Sequence, residues 1–326
     1  MKSCHIAIYH GDEEWVLKGI GQDLAFAFKS IGYSVSTTDQ VFKKVRLNAD
    51  YHIFVQQGQL NFNCDNNPNR VPKGSICLFT HLDVRNFKPE ILHKCQLVVF
   101  NSSIQLSQAI ANGYLPSNAI LQPHAVDPGL HKVFPENHPM MKNLLESISK
   151  QGKVHSYKQC VGFCGRYWEK ITYTRRKNYK VVKDTINLLI NEEIPVVVNG
   201  PGWSKYLNVD SPYLLCIETK YKNYPYVYNL MKLFVSLSIH EGGPLPLLEA
   251  MSCGAYPIVT NTGFSFDIID SQKFGTIISP FLKSTNIARK VQHIYHSSLD
   301  YSVYSQRAAK FSFVNLAKSI SSTFKS

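Results

Sequence analysis

The stretch SIHEGGPLPLLEAMSCGAYPIV, Ser238–Val259, decides how this chain folds. Pro244 and Pro246 suit the first turn of a helix, where a missing N–H costs nothing and the fixed φ is already helical. Leu247, Leu248, Ala250 and Met251 continue that helix, and Gly254 stands where helices end in a left-handed residue. LFVSLSI before it and YPIVT after it are nearly continuous apolar runs, the pattern of strands buried on both faces. The unit is strand, glycine loop, short helix, strand. Its loop lies at a helix N-terminus, where unpaired backbone N–H groups and the helix dipole favour an anion.

The same alternation extends in both directions. HIAIY reads as a strand, followed by a loop around Gly19-Ile20-Gly21 and a helix through Leu24, Phe28 and Ile31 that ends at Gly32. YSVST, YHIFVQ, SICLFT, LVVF and AILQP read as further strands, with a helix capped by Ser102 or Ser103 before the last. Between Pro135 and Lys158 the chain turns polar, which marks a domain boundary. Strand CVGFC, a helix through Tyr179, Val182, Ile186 and Leu189, strands PVVVNG and YLLCI, and a helix YPYVYNLMKLF lead to the opening stretch. Strand GTIIS and two helices follow it. Such alternation predicts an α/β chain of two doubly wound parallel sheets, whose ligands bind beyond the carboxyl ends of the strands. The expected division is 1–155, 156–305 and a C-terminal helix over 306–326 that packs back on the first domain.

With 326 residues and 44% apolar content, the chain can bury two cores of ordinary size. No apolar run approaches the roughly 18 residues of a membrane helix. The opening MKSCHIAIYHGDEE has too short an apolar stretch for a secretory signal. Eight scattered cysteines fit a reducing compartment better than a disulfide framework, and Cys160 and Cys164 read as core positions of one strand. The Asn101-Ser102-Ser103 sequon reads as an unused chance match. A soluble, cytoplasmic protein is expected, free or peripherally attached to a membrane. The net charge of +12 is uneven: residues 151–232 hold 13 Lys and Arg against 6 Asp and Glu. Lys170, Arg175, Arg176, Lys177, Lys180 and Lys183 run without an acid, which points to a solvated face, a phosphate-bearing ligand, anionic lipid or nucleic acid.

Several motifs are missing. There is no G-x4-G-K-[ST] loop, and Gly19-x-Gly21 is followed by Asp23-Leu24, so the dinucleotide fingerprint is incomplete. Neither H-E-x-x-H nor D-x-D occurs, which leaves a bound diphosphate to be neutralised by N–H groups and cationic side chains. Glu241 stands before the helix and Glu249 about one and a half turns into it. Carboxylates accept strong hydrogen bonds from hydroxyls, so the pair suits a ligand shaped sugar–diphosphate–nucleoside.

In this setting SIHEGGPLPLLEAMSCGAYPIVTNTG resembles the E-x7-E signature of the retaining glycosyltransferases of family 4, which have the two-domain GT-B fold. VGFCGR resembles the first strand and arginine of that family's second domain, and LFTHLD resembles the strand ending in a histidine that faces the donor sugar. VVFNSS and LQPHAVDPGLHKVF are similar to the segments that lead to the interdomain linker. The resemblance is strong over Val161–Pro280. It implies a GT-B type chain, two Rossmann-like doubly wound domains facing across a cleft.

By that resemblance Glu241 contacts the donor sugar's hydroxyls, Glu249 holds the ribose, Arg166 and a following lysine bind the diphosphate, and His81 lies near the reacting sugar. Position 171 is Ile where the family has its lysine. Lys170 takes that role, or YWEKITYT is an insertion and Lys177, at the start of the next helix, takes it with Arg176 beside it. Gly19 and Gly21 let a first-domain loop approach the phosphates. The family loop reads Glu-Gly-Phe-Gly, and here it reads Glu-Gly-Gly-Pro. Pro244 removes one N–H and leaves those of Gly242, Gly243, Leu245 and Leu247 for the donor.

The resulting expectation is a retaining, metal-independent hexosyltransferase needing no cofactor. It moves a mannose- or glucose-type hexose from a nucleoside-diphosphate sugar to an acceptor hydroxyl of a glycan, glycoconjugate or lipid-linked saccharide. GDP-mannose is preferred over a UDP-hexose on family grounds alone. The expected partners are the donor and a saccharide acceptor, with membrane contact through the basic second domain, a homodimer, and no nucleic acid. The alternatives are a catalytically silent nucleotide-sugar binder, suggested by Pro244, and a basic nucleic-acid-associated protein.

Overall fold

The computed structural model describes residues 4–11, 16–40, 47–80, 88–113 and 117–324. The chain forms two compact units, Met1–Asp127 with Phe311–Ser326, and Pro128–Lys310. The first unit contains β1 (His5–Tyr9), α1 (Val16–Ser30), β2 (Ser34–Thr38), β3 (Tyr51–Phe54), α2 (Gln57–Asn63) and β4 (Ser75–Phe79). It continues with α3 (Pro89–Leu92), β5 (Leu97–Phe100), α4 (Ser103–Ala111) and β6 (Ala119–Leu121). The second holds α5 (Pro139–Lys150), β7 (Cys160–Cys164), α6 (Ile171–Lys177), α7 (Tyr179–Asn191), β8 (Val196–Asn199), α8 (Trp203–Leu207) and β9 (Leu214–Ile217). Then come α9 (Tyr224–Tyr228), β10 (Met231–Ser236), α10 (Leu245–Ser252), β11 (Tyr256–Thr260), α11 (Ser265–Ile268), β12 (Thr276–Ile278), α12 (Ser284–Tyr295) and α13 (Tyr301–Ala309). The last helix, α14 (Phe313–Ser321), belongs to the first unit.

Each unit is built on six parallel strands. The first sheet runs β2-β1-β3-β4-β5-β6. Strands β3, β4 and β5 are buried along their whole length, as expected where helices cover both faces, hence the continuous apolar runs. α14 packs on α1, and Phe324 stacks on Tyr51 at 3.8 Å between ring centroids. Ser102 caps α4 by accepting the Gln105 N–H, and Asn101 is buried, so the sequon is not a surface acceptor.

The expected loop at Gly19–Gly21 does not form: both glycines lie inside α1. A Cβ on Gly21 would stand 2.6 Å from the His10 Cβ, whereas one on Gly19 would meet nothing within 4 Å. Gly21 therefore serves close packing of α1 on the end of β1, not approach to a phosphate.

The second sheet runs β12-β11-β10-β7-β8-β9. Chain order reverses between β7 and β10, so loops leaving those two neighbours diverge at one place beyond their carboxyl ends. In open parallel sheets that is where ligands bind. The helix expected over YPYVYNLMKLF is cut short: its second half, from Met231, belongs to strand β10. α9 stops at Tyr228, and buried Asn229 ties the turn by donating to the Lys132 and Pro225 carbonyls and accepting the Phe134 N–H. Three helices, not two, follow β12. The polar stretch over 135–158 contains α5 and lies within the second unit, whose boundary falls at Pro128 instead of near 156.

α10 is the helix foreseen from the opening stretch, with Pro244 at its N-cap and Gly254 left-handed just past its end. Lys158 secures that end: its ammonium donates to the Cys253 carbonyl and lies over the rings of Tyr157 and Tyr301. Burial pushes its pKa from 10.5 down to about 8.

Two predictions follow from this packing. Gly21→Ala should destabilise the protein by about 1–3 kcal/mol, read from urea unfolding, because neither His10 nor α1 can yield without displacing core. An unchanged midpoint would contradict the packing role. For Lys158, the unfolded chain holds the proton between pH 8 and 10.5 and the folded chain does not. Folding stability from this group therefore rises with pH across that window, by up to about 1.4 kcal/mol per pH unit. Lys158→Met should remove that rise, seen as a flatter pH dependence of the unfolding free energy than in the parent.

Candidate functional site

The second unit gathers most of the expected residues at the β7–β10 junction. β7 ends at Cys164, and left-handed Gly165 turns the chain to exposed Arg166. A Cβ on Gly200, after β8, would stand 2.2 Å from the Gly165 carbonyl oxygen, so these two loops pack backbone to backbone. The Arg166 guanidinium lies over Trp168 at 5.6 Å, and Lys170 approaches the same ring at 5.6 Å. Together with Tyr167, Glu169, Pro201 and Gly202 they line an open groove of about 420 Å³.

The loop between β10 and α10 is fixed by bonds from two directions. The Ile239 N–H donates to the Arg176 carbonyl at 2.8 Å, which joins the loop to the end of α6. The Glu241 N–H donates to the Thr262 hydroxyl at 2.8 Å, which joins it to the loop after β11. Gly263 makes that second approach possible. Its φ is +54°, and a Cβ there would stand 2.8 Å from the Pro244 ring and 3.1 Å from the Gly242 carbonyl oxygen.

These bonds bring Lys177 and Glu241 together, Nζ to Oε1, at 2.5 Å. Lys177 ends α6 instead of starting the next helix, and Asn178 in the left-handed region separates it from α7. Arg176 is exposed, with its guanidinium 5.2 Å from the Tyr173 ring centre. Among the described residues neither Arg166 nor Arg176 forms an ion pair. His81 lies outside the described residues.

The backbone donors are fewer than the loop sequence implies. The Leu245 N–H turns back to the Gly243 carbonyl at 2.9 Å, and the Leu247 N–H to the Pro244 carbonyl at 2.9 Å. Among the described residues no acceptor is bonded to the N–H of Gly242 or Gly243. The anion-binding potential thus sits in the Gly-Gly segment, ahead of the helix proper. Leu245 contributes a buried side chain, not a donor.

Glu249 is buried on α10, 4% exposed. Its Oε1 accepts the Tyr221 hydroxyl at 2.6 Å and its Oε2 the Tyr228 hydroxyl at 2.7 Å, with His131 Nε2 3.9 Å from Oε1. Burial, then Cys164 and Glu249, holds the Tyr228 hydroxyl well above its usual pKa, so it remains a donor. Burial likewise pushes Tyr224, beside Tyr221, up to about 12. Sequence reasoning missed Thr262, Gly263, Tyr221, Tyr228 and His131. The tyrosines had no signal of their own, since 18 occur in the chain.

Among the described residues no group of three His, Cys, Asp or Glu side chains is placed to hold a metal ion. No described helix is long and apolar enough to cross a membrane.

No curated protein matches this sequence. Among solved structures, Anabaena HepE in complex with UDP-glucose is similar with a TM-score of 0.72 at 14% identity, covering 98% of this chain and 99% of that one. A glycosyltransferase from Rickettsia africae gives 0.75 at 13% identity over all of both chains. Sucrose-phosphate synthase from Thermosynechococcus elongatus gives 0.70 at 13%, covering 98% of each. At these identities the likeness establishes the fold, the two-domain α/β GT-B fold of such glycosyltransferase structures. Residues 172–311, which contain the Glu241 loop and α10, match the family of glycosyl transferases group 1.

Proposed function

We propose that this chain is a retaining, metal-independent glycosyltransferase that moves a hexose from a nucleoside-diphosphate sugar to an acceptor hydroxyl of a glycan, glycoconjugate or lipid-linked saccharide. The observation that carries the reading is the clasp of Lys177 on Glu241 beside the Gly242 and Gly243 N–H groups, at the point where strand order reverses. A cation, two backbone donors and a carboxylate at one place match a diphosphate joined to a sugar. The family match over 172–311 supports it.

In this reading Lys177 and Arg166 offset the charge that grows on the departing diphosphate, with the glycine N–H groups donating to its oxygens. Glu241 accepts hydrogen bonds from the sugar's hydroxyls, and Glu249 accepts them from the ribose. Arg176 and Lys170 add positive potential at the rim. No enzymic nucleophile is assigned. The anomeric C–O bond breaks with its electron pair passing to the phosphate oxygen. The acceptor oxygen bonds the anomeric carbon on the same face, and its proton passes to that phosphate oxygen. His81 is assigned beside the reacting sugar on family grounds.

The structure offers no argument for GDP-mannose over a UDP-hexose. The bound UDP-glucose of the Anabaena structure makes that donor the first to assay.

Calorimetry against UDP-glucose, UDP-galactose and GDP-mannose should find one donor bound, and turnover should proceed unchanged in a chelator. The product should keep the donor's anomeric configuration by NMR. Glu241→Ala and Lys177→Ala should each lower kcat by about 10²–10³-fold. Binding without turnover by the parent protein would favour the silent alternative, and loss of activity in chelator would overturn metal independence.

A further inference from the structure

We propose that Tyr221 is a gate on the nucleoside end of the site, its hydroxyl holding the Glu249 oxygen that a ribose diol must take. This inference rests on the donor-binding reading above and assigns Tyr221 as a positioning residue acting through Glu249.

The two tyrosines that clasp Glu249 are different in kind. Tyr228 is fully buried, donates to Oε2 at 2.7 Å and packs at right angles to core Phe234. It is part of the interior. Tyr221 is 48% exposed, on a single 3₁₀ turn, Tyr221–Asn223, and donates to Oε1 at 2.6 Å. Its ring contacts Tyr224 edge-on and lies 5.7 Å from His131, so it rests on this cluster without being enclosed by it.

The Glu249 side chain is only 5% exposed. Besides Tyr221, the described residues around it include Tyr228, His131 and, through Tyr228, the Cys164 sulfur, with Cys253 also near, all from the interior of the unit. Tyr221 is the solvent-exposed one of the two donors bonded to the carboxylate, so on this proposal a hydroxyl arriving from solvent meets Glu249 on the side of Tyr221. Binding becomes an exchange of one O–H···O⁻ bond for another, a phenol leaving as the diol arrives. Such an exchange lowers apparent affinity by the fraction of molecules in which the carboxylate is accessible. It also keeps the buried carboxylate bonded at every stage, since leaving it bare would cost more than the bond exchanged.

The test is calorimetric titration of the full-length protein with UDP and GDP, each beside its 2′,3′-dideoxy analogue. Tyr221→Phe deletes the gate's hydroxyl and keeps the ring. For the base that the parent binds, this variant should bind the ribonucleotide about 3–10-fold tighter. Affinity for the dideoxy analogue should stay within about twofold of the parent's, since no exchange is involved. In a Glu249→Gln background, Tyr221→Phe should change neither affinity. A merely structural Tyr221 would shift both ligands alike, and that result, or unchanged or weaker ribonucleotide binding, overturns the gate. If Glu249→Gln still weakens the ribonucleotide selectively, the donor reading survives that failure. If the parent binds neither UDP nor GDP, both readings fall.

Discussion

Hydrogen bonding between β7 and β10, neighbours in the second sheet though about 70 residues apart in sequence, is what the candidate site depends on. Because the two strands run side by side, the chain leaving one and the chain leaving the other start from the same edge. A Cβ on Gly162, in the middle of β7, would stand 2.1 Å from the Met231 sulfur, so the Met231 side chain lies against β7 only because that position is glycine. The loops above them are then tied by main-chain bonds, Ile239 to Arg176 and Glu241 to Thr262. The Lys177–Glu241 pair is a consequence of that framework and not its cause. Both side chains keep some contact with solvent, 30% and 12% exposed, and ion pairs of that kind contribute little to stability. Their closeness has been set by backbone geometry, which leaves the two charges available to a ligand.

Glu249 poses the opposite problem. A carboxylate on a short helix of Leu, Ala and Met loses hydration on folding, and only donors of similar strength offset that loss. Two tyrosine hydroxyls supply them, from a 3₁₀ turn and from α9. Replacing Glu249 by an apolar residue of similar size would relieve the same cost by simpler means, as buried ion pairs elsewhere illustrate. The arrangement is one that tolerates a buried acid, and tolerance alone gives no reason for its presence. A carboxylate kept ready to accept hydroxyl hydrogen bonds does give one.

Much of the architecture was legible because parallel strands covered on both faces write continuous apolar runs. The opening stretch is legible in its order: β10, loop, Pro244, α10, Gly254 and β11 follow one another, with β10 starting two residues earlier than the run LFVSLSI. What failed were places where a local signal was overruled by distant packing. Gly19 and Gly21 look like a loop, yet α1 runs through them because Gly21 lets the helix touch His10. Met231 looks helical within YPYVYNLMKLF, yet the centre of the sheet claims it. The polar stretch over 135–158 looks like a linker, yet α5 buries Met141 and Ile148 within the second unit. Tyr221, Tyr228 and Thr262 were invisible because their roles arise from partners at sequence distances of 21 to 28.

The basic run over 170–183 shows how a bulk property divides once side chains have addresses. Lys180 pairs with Asp184 one turn along α7, and Lys183 donates to the Tyr206 carbonyl while lying 5.0 Å from that ring centre. Those two are ordinary surface chemistry. Lys177 is held by Glu241, and Arg166 and Lys170 share Trp168 at the rim of the groove. Arg166 and Lys170 thus stand on the loop after β7, Arg175 and Arg176 close the last turn of α6, and only Lys180 and Lys183 lie along α7. A polyanion such as a duplex demands a long stripe of spaced charges, because each phosphate neutralised adds its own increment to binding. A short group of cations on one loop and one helix end, with a single member paired to Glu241, presents no such stripe and is closer in extent to one diphosphate.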